Sequence, residues 1–131
     1  MKDGHHEVNF PDGTRFEGEV KNGMPNGRGI FTLPDGGVLK GEFKDALLHG
    51  LGVNVYPEGN PSGVGRQEGE FRDGNLQTGI QWTFGDPLYF ENGTYVSSAQ
   101  TTGSDEKDRL KKRELAKEKA MFAKKTYSLQ E

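Results

Sequence analysis

Phe16, Gly18 and Val20 alternate along the chain with Glu17 and Glu19. The same order returns as Leu39, Gly41 and Phe43 against Lys40 and Glu42, and as Gly69 and Phe71 against Glu68 and Glu70. An apolar residue at every second position places one face of an extended segment in a core and the other in water, the mark of a half-buried strand. A second strand is predicted in each unit, at residues 29–33, 52–56 and 80–84. Asn22-Gly23, Asn26-Gly27 and Asp73-Gly74 lie between the strands and supply the positive φ of tight turns. Pro34-Asp35-Gly36-Gly37 turns the chain into the next unit. The pattern predicts serial β-hairpins joined into an antiparallel meander.

The hairpins fall on a grid of 23 residues. That offset carries residues 16–20 onto 39–43, Gly27 onto Gly50, Gly29 onto Gly52 and Gly36 onto Gly59. One step back, Gly4 matches Gly27 and Phe10-Pro11-Asp12-Gly13 matches Leu33-Pro34-Asp35-Gly36, so a half repeat precedes the first full one. Forward, the motif restarts at Gln67 with an offset of 28, the five extra residues falling in a Gly- and Pro-rich stretch at 57–65 that reads as a lengthened loop. Thr78 stands where the grid asks for glycine. Gly18, Gly41 and Gly69 sit inside strands, where glycine usually weakens pairing. Rings from neighbouring strands lying over bare backbone would explain them, with Phe16, Phe31, Phe43, Tyr56 and Phe71 as candidates. One hairpin alone is marginal in water, so stability must come from stacked neighbours.

These residues resemble the MORN repeat (membrane occupation and recognition nexus). The first copy carries the pattern on Phe16, Gly18, Gly23, Gly27, Gly29 and Asp35-Gly36, the second on Leu39, Gly41, Gly50, Gly52 and Gly59. Leu39 and Gln67 replace the usual leading aromatic, Ala46 replaces a glycine, and the third copy degrades after Gly74. The resemblance implies a twisted, trough-like sheet of serial hairpins. It also implies a scaffold or assembly role: parts of cilia and flagella, protist cytoskeleton, membrane junctions, or accessory regions of lipid kinases.

The expected fold is therefore mostly β, serial antiparallel hairpins followed by one C-terminal α-helix. Residues 1–85 form the array: a half repeat at 4–13, repeats at 16–36 and 39–59, and a degenerate one at 67–85. Residues 86–103 hold a last short hairpin about Asn92-Gly93 and a polar linker from 97 to 103. From Ser104, a suitable N-cap, residues 104–131 form a charged helix, with Lys124-Lys125 near its end. Leu110, Leu115, Met121 and Phe122 fall within about 140° of one another on a helical wheel, and Ala116, Ala120 and Ala123 form a second strip. Such a thin stripe suits a helix laid along a partner's acidic groove or projecting into solvent.

Composition sharpens this division. All 20 glycines lie in residues 4–103, and cysteine is absent, which excludes disulfides, thiolate metal sites and a cysteine nucleophile. Residues 1–104 carry 14 acidic and 8 basic side chains, residues 105–125 carry 5 and 9, so an acidic body precedes a basic segment. No apolar run approaches the roughly 20 residues of a membrane span or the core of a signal peptide.

Little chemistry is written in the remaining residues. His5, His6 and His49 read as surface histidines in turns, and no metal or cofactor is expected. Glu17, Glu19, Glu42, Glu68 and Glu70 read as an exposed ladder with no burial to raise a catalytic pKa. No nucleophile elbow or complete phosphate loop occurs. Mixed charge on the helix, without interleaved aromatics, argues against nucleic acid.

The expected function is a non-enzymatic scaffold that binds other protein subunits and no small-molecule substrate. The expected setting is cytoplasmic or cytoskeletal, not secreted, with a cilium or flagellum axoneme preferred. Candidate protein-binding residues are Phe16, Leu39, Phe43, Phe71, Trp82, Tyr89, Leu110, Leu115 and Phe122. One alternative is a membrane-tethering adaptor holding anionic lipid through Lys111, Lys112, Arg113, Lys117 and Lys119. A third is an accessory regulatory module of a larger enzyme. The half repeat also predicts an open strand edge able to pair with another chain.

Overall fold

The computed structural model describes residues 2–96 and 104–127. Nine strands form one antiparallel sheet in chain order: β1 (Gly4–Asn9), β2 (Arg15–Lys21), β3 (Met24–Thr32), β4 (Val38–Lys44), β5 (Leu47–Val55), β6 (Val64–Arg72), β7 (Asn75–Thr83), β8 (Asp86–Glu91) and β9 (Thr94–Tyr95). One helix, α1 (Ser104–Thr126), packs on β5 to β8. This is the expected meander and helix. The expected 97–103 linker lies outside the described residues.

Two kinds of turn alternate. Within hairpins, Asn22-Gly23, Asp45-Ala46 and Asp73-Gly74 join strands two residues apart, and Phe84-Gly85 and Asn92-Gly93 do the same further on. Their first residues all have φ between 48° and 53°, the left-handed start of a type I′ turn whose twist matches that of the strands. Between units, Asp12 and Asp35 each accept a hydrogen bond from the N–H two residues on, of Thr14 at 2.8 Å and Gly37 at 2.9 Å. Asn26-Gly27 is not a turn. It lies within β3, where the β2–β3 register slips between Gly18 and Val20. The second strands consequently start earlier than the pattern predicted, at Met24 and Leu47, and the polypeptide's extra turn, Phe84-Gly85, ends β7 at Thr83.

At the slip, the repeated Glu has a structural task. Glu42 lies over Gly50, where a Cβ would stand 2.8 Å from its carboxylate, and it accepts a hydrogen bond from the Leu51 N–H at 3.2 Å. The motif thus needs a carboxylate and a glycine together. Strand glycines work in cross-strand pairs: Gly18 with Gly29, Gly41 with Gly52, Gly69 with Gly79. Phe16 lies over the first pair and Leu48 over the second, while the third abuts only backbone. The other candidate rings, Phe31, Phe43, Tyr56 and Phe71, are not among the atoms nearest any of these glycines.

The two faces differ. One holds Phe16, Val20, Phe43, Leu48, Phe71 and Leu76, buried by mutual contact, with Phe16, Phe31 and Phe43 meeting at centroid distances of 4.7 to 5.8 Å. On the other, the register sets Glu7, Glu17, Ile30, Lys40, Val53, Glu68, Ile80 and Tyr89 in one row across eight strands. In β2 to β7 the first strand of each unit contributes charge to this row and the second a β-branched residue, while β1 and β8 contribute Glu7 and Tyr89. α1 lies on this second face.

Candidate interaction surface

At about 100° per residue, Ala116, Ala120 and Ala123 fall on one side of α1 and Leu110, Leu115, Met121 and Phe122 on the opposite side. The alanines are the side that is buried, at 0%, 2% and 0% exposure. Small side chains let the helix backbone approach the sheet, where Val53 and Ile80 are buried beneath it. The large apolar residues face outward, Phe122 at 51% and Met121 at 68% exposed.

Charge fixes the helix's track. Arg113 lies over the Tyr89 ring at 4.6 Å, with Lys117 at 5.8 Å. Lys119 pairs with Glu70 at 3.3 Å, and the Tyr127 hydroxyl donates to Glu42 at 3.3 Å. α1 thereby runs obliquely from β8 to β4. Burial, then the charge of Glu42 beside it, pushes the Tyr127 phenol up to about 12. Under the helix, buried Glu68 accepts from the Trp82 indole N–H at 2.9 Å and from Arg66 Nε at 3.1 Å. The expected exposed carboxylate ladder is corrected here: Glu17 and Glu19 are exposed, Glu42 and Glu70 half-buried, and Glu68 is covered by the helix. Nor does α1 project freely; the acidic groove it occupies belongs to its own sheet.

The predicted protein-binding residues separate into three groups. Phe16, Phe43 and Phe71 are core, and Leu39 packs against it. Trp82 and Tyr89 are half-buried and engaged by Glu68, Arg66 and the helix cations. Leu110, Leu115 and Phe122 are exposed together on α1. Of the predicted lipid-binding cations, Lys112 pairs with Asp108 at 3.1 Å, Lys117 with Glu114 at 3.2 Å, Lys119 with Glu70, and Arg113 sits on Tyr89; Lys111 is exposed. Helix docking went unforeseen, although the acidic body and basic segment were its signal.

The opposite face opens into an apolar hollow of about 620 Å³ between Phe10, Pro11, Met24, Pro25, Phe31 and Ala46. Its lining comes from turns at both ends of the strands. The histidines lie on strands rather than in turns: His5 is 3.7 Å from Glu17, His6 reaches the Lys2 carbonyl at 2.6 Å, and His49 is 3.6 Å from Asp73. Among the described residues no three potential ligands converge on a metal site, and no helix is long and apolar enough to cross a membrane.

The family model of the MORN repeat matches residues 16–38 and 40–60. These are the two hairpin units whose glycine pairs carry Phe16 and Leu48. No curated protein matches the chain at a meaningful level.

Proposed function

Because the chain is a MORN-repeat protein, of a family that serves as interaction modules for proteins or membranes, we propose that it is a non-enzymatic scaffold subunit docking other proteins through the outward face of α1. One observation carries this reading. Leu110, Leu115, Met121 and Phe122 stand exposed on a helix whose own packing is done by alanines. A helix that needed only to cover its sheet would be polar on that side, because exposed large apolar residues gathered on one strip mark an interaction surface. The sheet holds the helix at its middle, where Arg113 lies over Tyr89, and just past its C-terminal end, where Tyr127 donates to Glu42, so the strip is presented away from the sheet.

The alternative reading, tethering to anionic lipid, draws on exposed Lys111 beside the same strip. It is the weaker, since Lys112, Arg113, Lys117 and Lys119 are engaged within the chain. The setting we assign, a cytoplasmic or cytoskeletal assembly such as a ciliary axoneme, rests on the resemblance of the repeats alone. Proximity labelling in the source cell tests the scaffold reading, comparing the full chain with a Leu115→Glu, Phe122→Glu double variant. Loss of a defined set of partners is expected. An unchanged set would overturn it, and co-sedimentation with phosphatidylserine vesicles that the double variant abolishes would favour lipid.

A further inference from the structure

Two departures from the 23-residue grid meet in space. The loop before β6 carries the five extra residues, and the turn joining β7 to β8 is Phe84-Gly85. Phe84 donates its N–H to the Gly63 carbonyl of that loop at 2.8 Å, and its ring lies so close over Gly63 that a Cβ there would collide with it. The other two-residue turns of the sheet open with Asn or Asp: Asn22, Asp45, Asp73 and Asn92. Such short polar side chains tolerate the left-handed region, whereas a bulky residue there is an outlier. Phe84 nonetheless holds φ 51° and is 80% exposed, the most exposed large apolar side chain among the described residues. Backbone strain and an apolar ring left in water both work against stability, and residues that combine them gather at binding sites.

We infer that Phe84 is the knob of a head-to-tail contact between copies of this chain, received by the apolar hollow of the next copy. The hollow lies toward the other end of the strand order, among residues 10 to 46, and Phe10 and Met24 in its lining are 40% and 43% exposed. Its volume of about 620 Å³ is that of a small-molecule site, ample for one ring. Gly63 and the bond to its carbonyl fix the direction in which the ring is presented, so little freedom is lost on docking. Charge does not drive the contact. Arg15 near the hollow and Arg66 near the knob are held by Glu7 and Glu68. Of the remaining charges, Asp3, Asp12 and Asp45 about the hollow are matched by Lys2, Lys21 and Lys44, and the knob has Glu58 and Asp86 in its loop and turn. One ring buries about 150–250 Å² against the roughly 800 Å² per partner of a stable interface, so the contact is weak. Knob and hollow are different surfaces, so each copy offers one of each and copies add in a row. Both are separate from the outward strip of α1, so either reading can fail without the other.

Sedimentation of the full chain from about 1 μM to about 1 mM tests this. Species larger than a dimer should grow with concentration, and salt at about 0.5 M should leave them in place, because no ion pair holds the contact. Phe84→Asn gives the turn a residue that accepts its conformation, so the urea midpoint should rise while association weakens about tenfold or more. Met24→Glu places a charge in the hollow and should also leave monomers. Mixed together, the two variants should form a dimer of one of each and stop there, since one keeps the hollow and the other the knob. A chain that stays monomeric at the highest concentration would overturn the inference. So would assembly indifferent to Phe84→Asn, or two variants that fail to complement each other. Assembly lost in Leu115→Glu and kept in Phe84→Asn would put the self-contact on α1, overturning the knob while leaving the outward strip as a docking surface.

Discussion

Replacing Ala120 with leucine tests whether α1 is seated as described. Ala120 is 2% exposed between Ala116 and Ala123, and three added carbons have no space between the helix and the sheet. Two responses compete. If the helix stays, overpacking costs about 1–3 kcal/mol. If it lifts, Val53 and Ile80 lose their cover, at about 1.5–3 kcal/mol for each fully buried side chain, an upper bound near 6 kcal/mol. The Lys119–Glu70 pair, half-exposed, adds under about 1 kcal/mol to either. Strain is the smaller cost, so Ala120→Leu should lose roughly 2 kcal/mol with α1 still docked. Trp82, the single tryptophan, reports on this directly through its bond to buried Glu68. Urea unfolding followed by its fluorescence should show a lower midpoint at an unchanged slope. Leu110→Ala, on the outward side, should stay within about 0.5 kcal/mol of the parent. A leucine at 120 that is tolerated equally well would refute the alanine seat.

Other positions give independent checks. Ala46 holds φ 70° in the Asp45-Ala46 turn, which costs a non-glycine residue about 1–2 kcal/mol; Ala46→Gly recovers that against about 0.4–1 kcal/mol of unfolded-state entropy. A net gain of roughly 0.5–1 kcal/mol in urea unfolding is expected, and a loss would contradict the turn geometry. At Gly41 an added Cβ would stand 2.5 Å from the Leu51 carbonyl and 2.6 Å from Gly52 Cα, both backbone. Gly41→Ala should therefore lose about 3 kcal/mol or fail to fold, and a loss under about 1 kcal/mol would refute the close approach. Tyr127 titrates near 12 in the folded chain against 10 when free, so folding favours its protonated form. That contribution is whole below pH 10 and vanishes as pH rises through 12. A phenolate absorbance titration should show Tyr127 ionising late. Burial also raises Tyr56, so the Tyr127 step is assigned by its loss in Tyr127→Phe; Glu42→Gln should bring that step earlier, and insensitivity to Glu42→Gln would refute the contact.

Period-two alternation and the 23-residue grid revealed the hairpins because both are local: each strand's pattern and each Asx-Gly turn is written within a few residues. Asp45-Ala46 and Phe84-Gly85 were harder to see, since alanine and phenylalanine rarely adopt the left-handed conformation that the strand twist imposes on them. Asn26-Gly27 misled for the converse reason. Its glycine is needed not for a turn but for room under the Glu19 side chain, a demand made by another strand. The candidate surface was half legible. Both strips of α1 could be counted on a wheel, but which one faces the sheet depends on the space above Val53 and Ile80, and only the tertiary structure sets that.

The degenerate third repeat follows from the same contact. In the first two units Glu19 and Glu42 fold over Gly27 and Gly50, and Glu42 is held by a neighbouring N–H. In the third, Thr78 pairs opposite Glu70 where that glycine would be, and its hydroxyl accepts from the Asn92 N–H at 3.3 Å. A side chain at 78 denies Glu70 the seat over bare backbone, leaving its carboxylate for Lys119 of α1. Loss of the glycine thus goes with a change in Glu70's partner, from the facing strand of its own hairpin to a cation of α1. By that reasoning Glu70 and Thr78 belong to the helix interface rather than to a decayed motif. Thr78→Gly should then allow the arrangement of the first two units, drawing Glu70 onto the sheet and weakening the Lys119 pair. A double-mutant cycle between Glu70 and Lys119 reads this: a coupling of about 0.5 kcal/mol in the parent should fall toward zero in Thr78→Gly. Equal coupling in both backgrounds would mean that Thr78 plays no part in freeing the carboxylate.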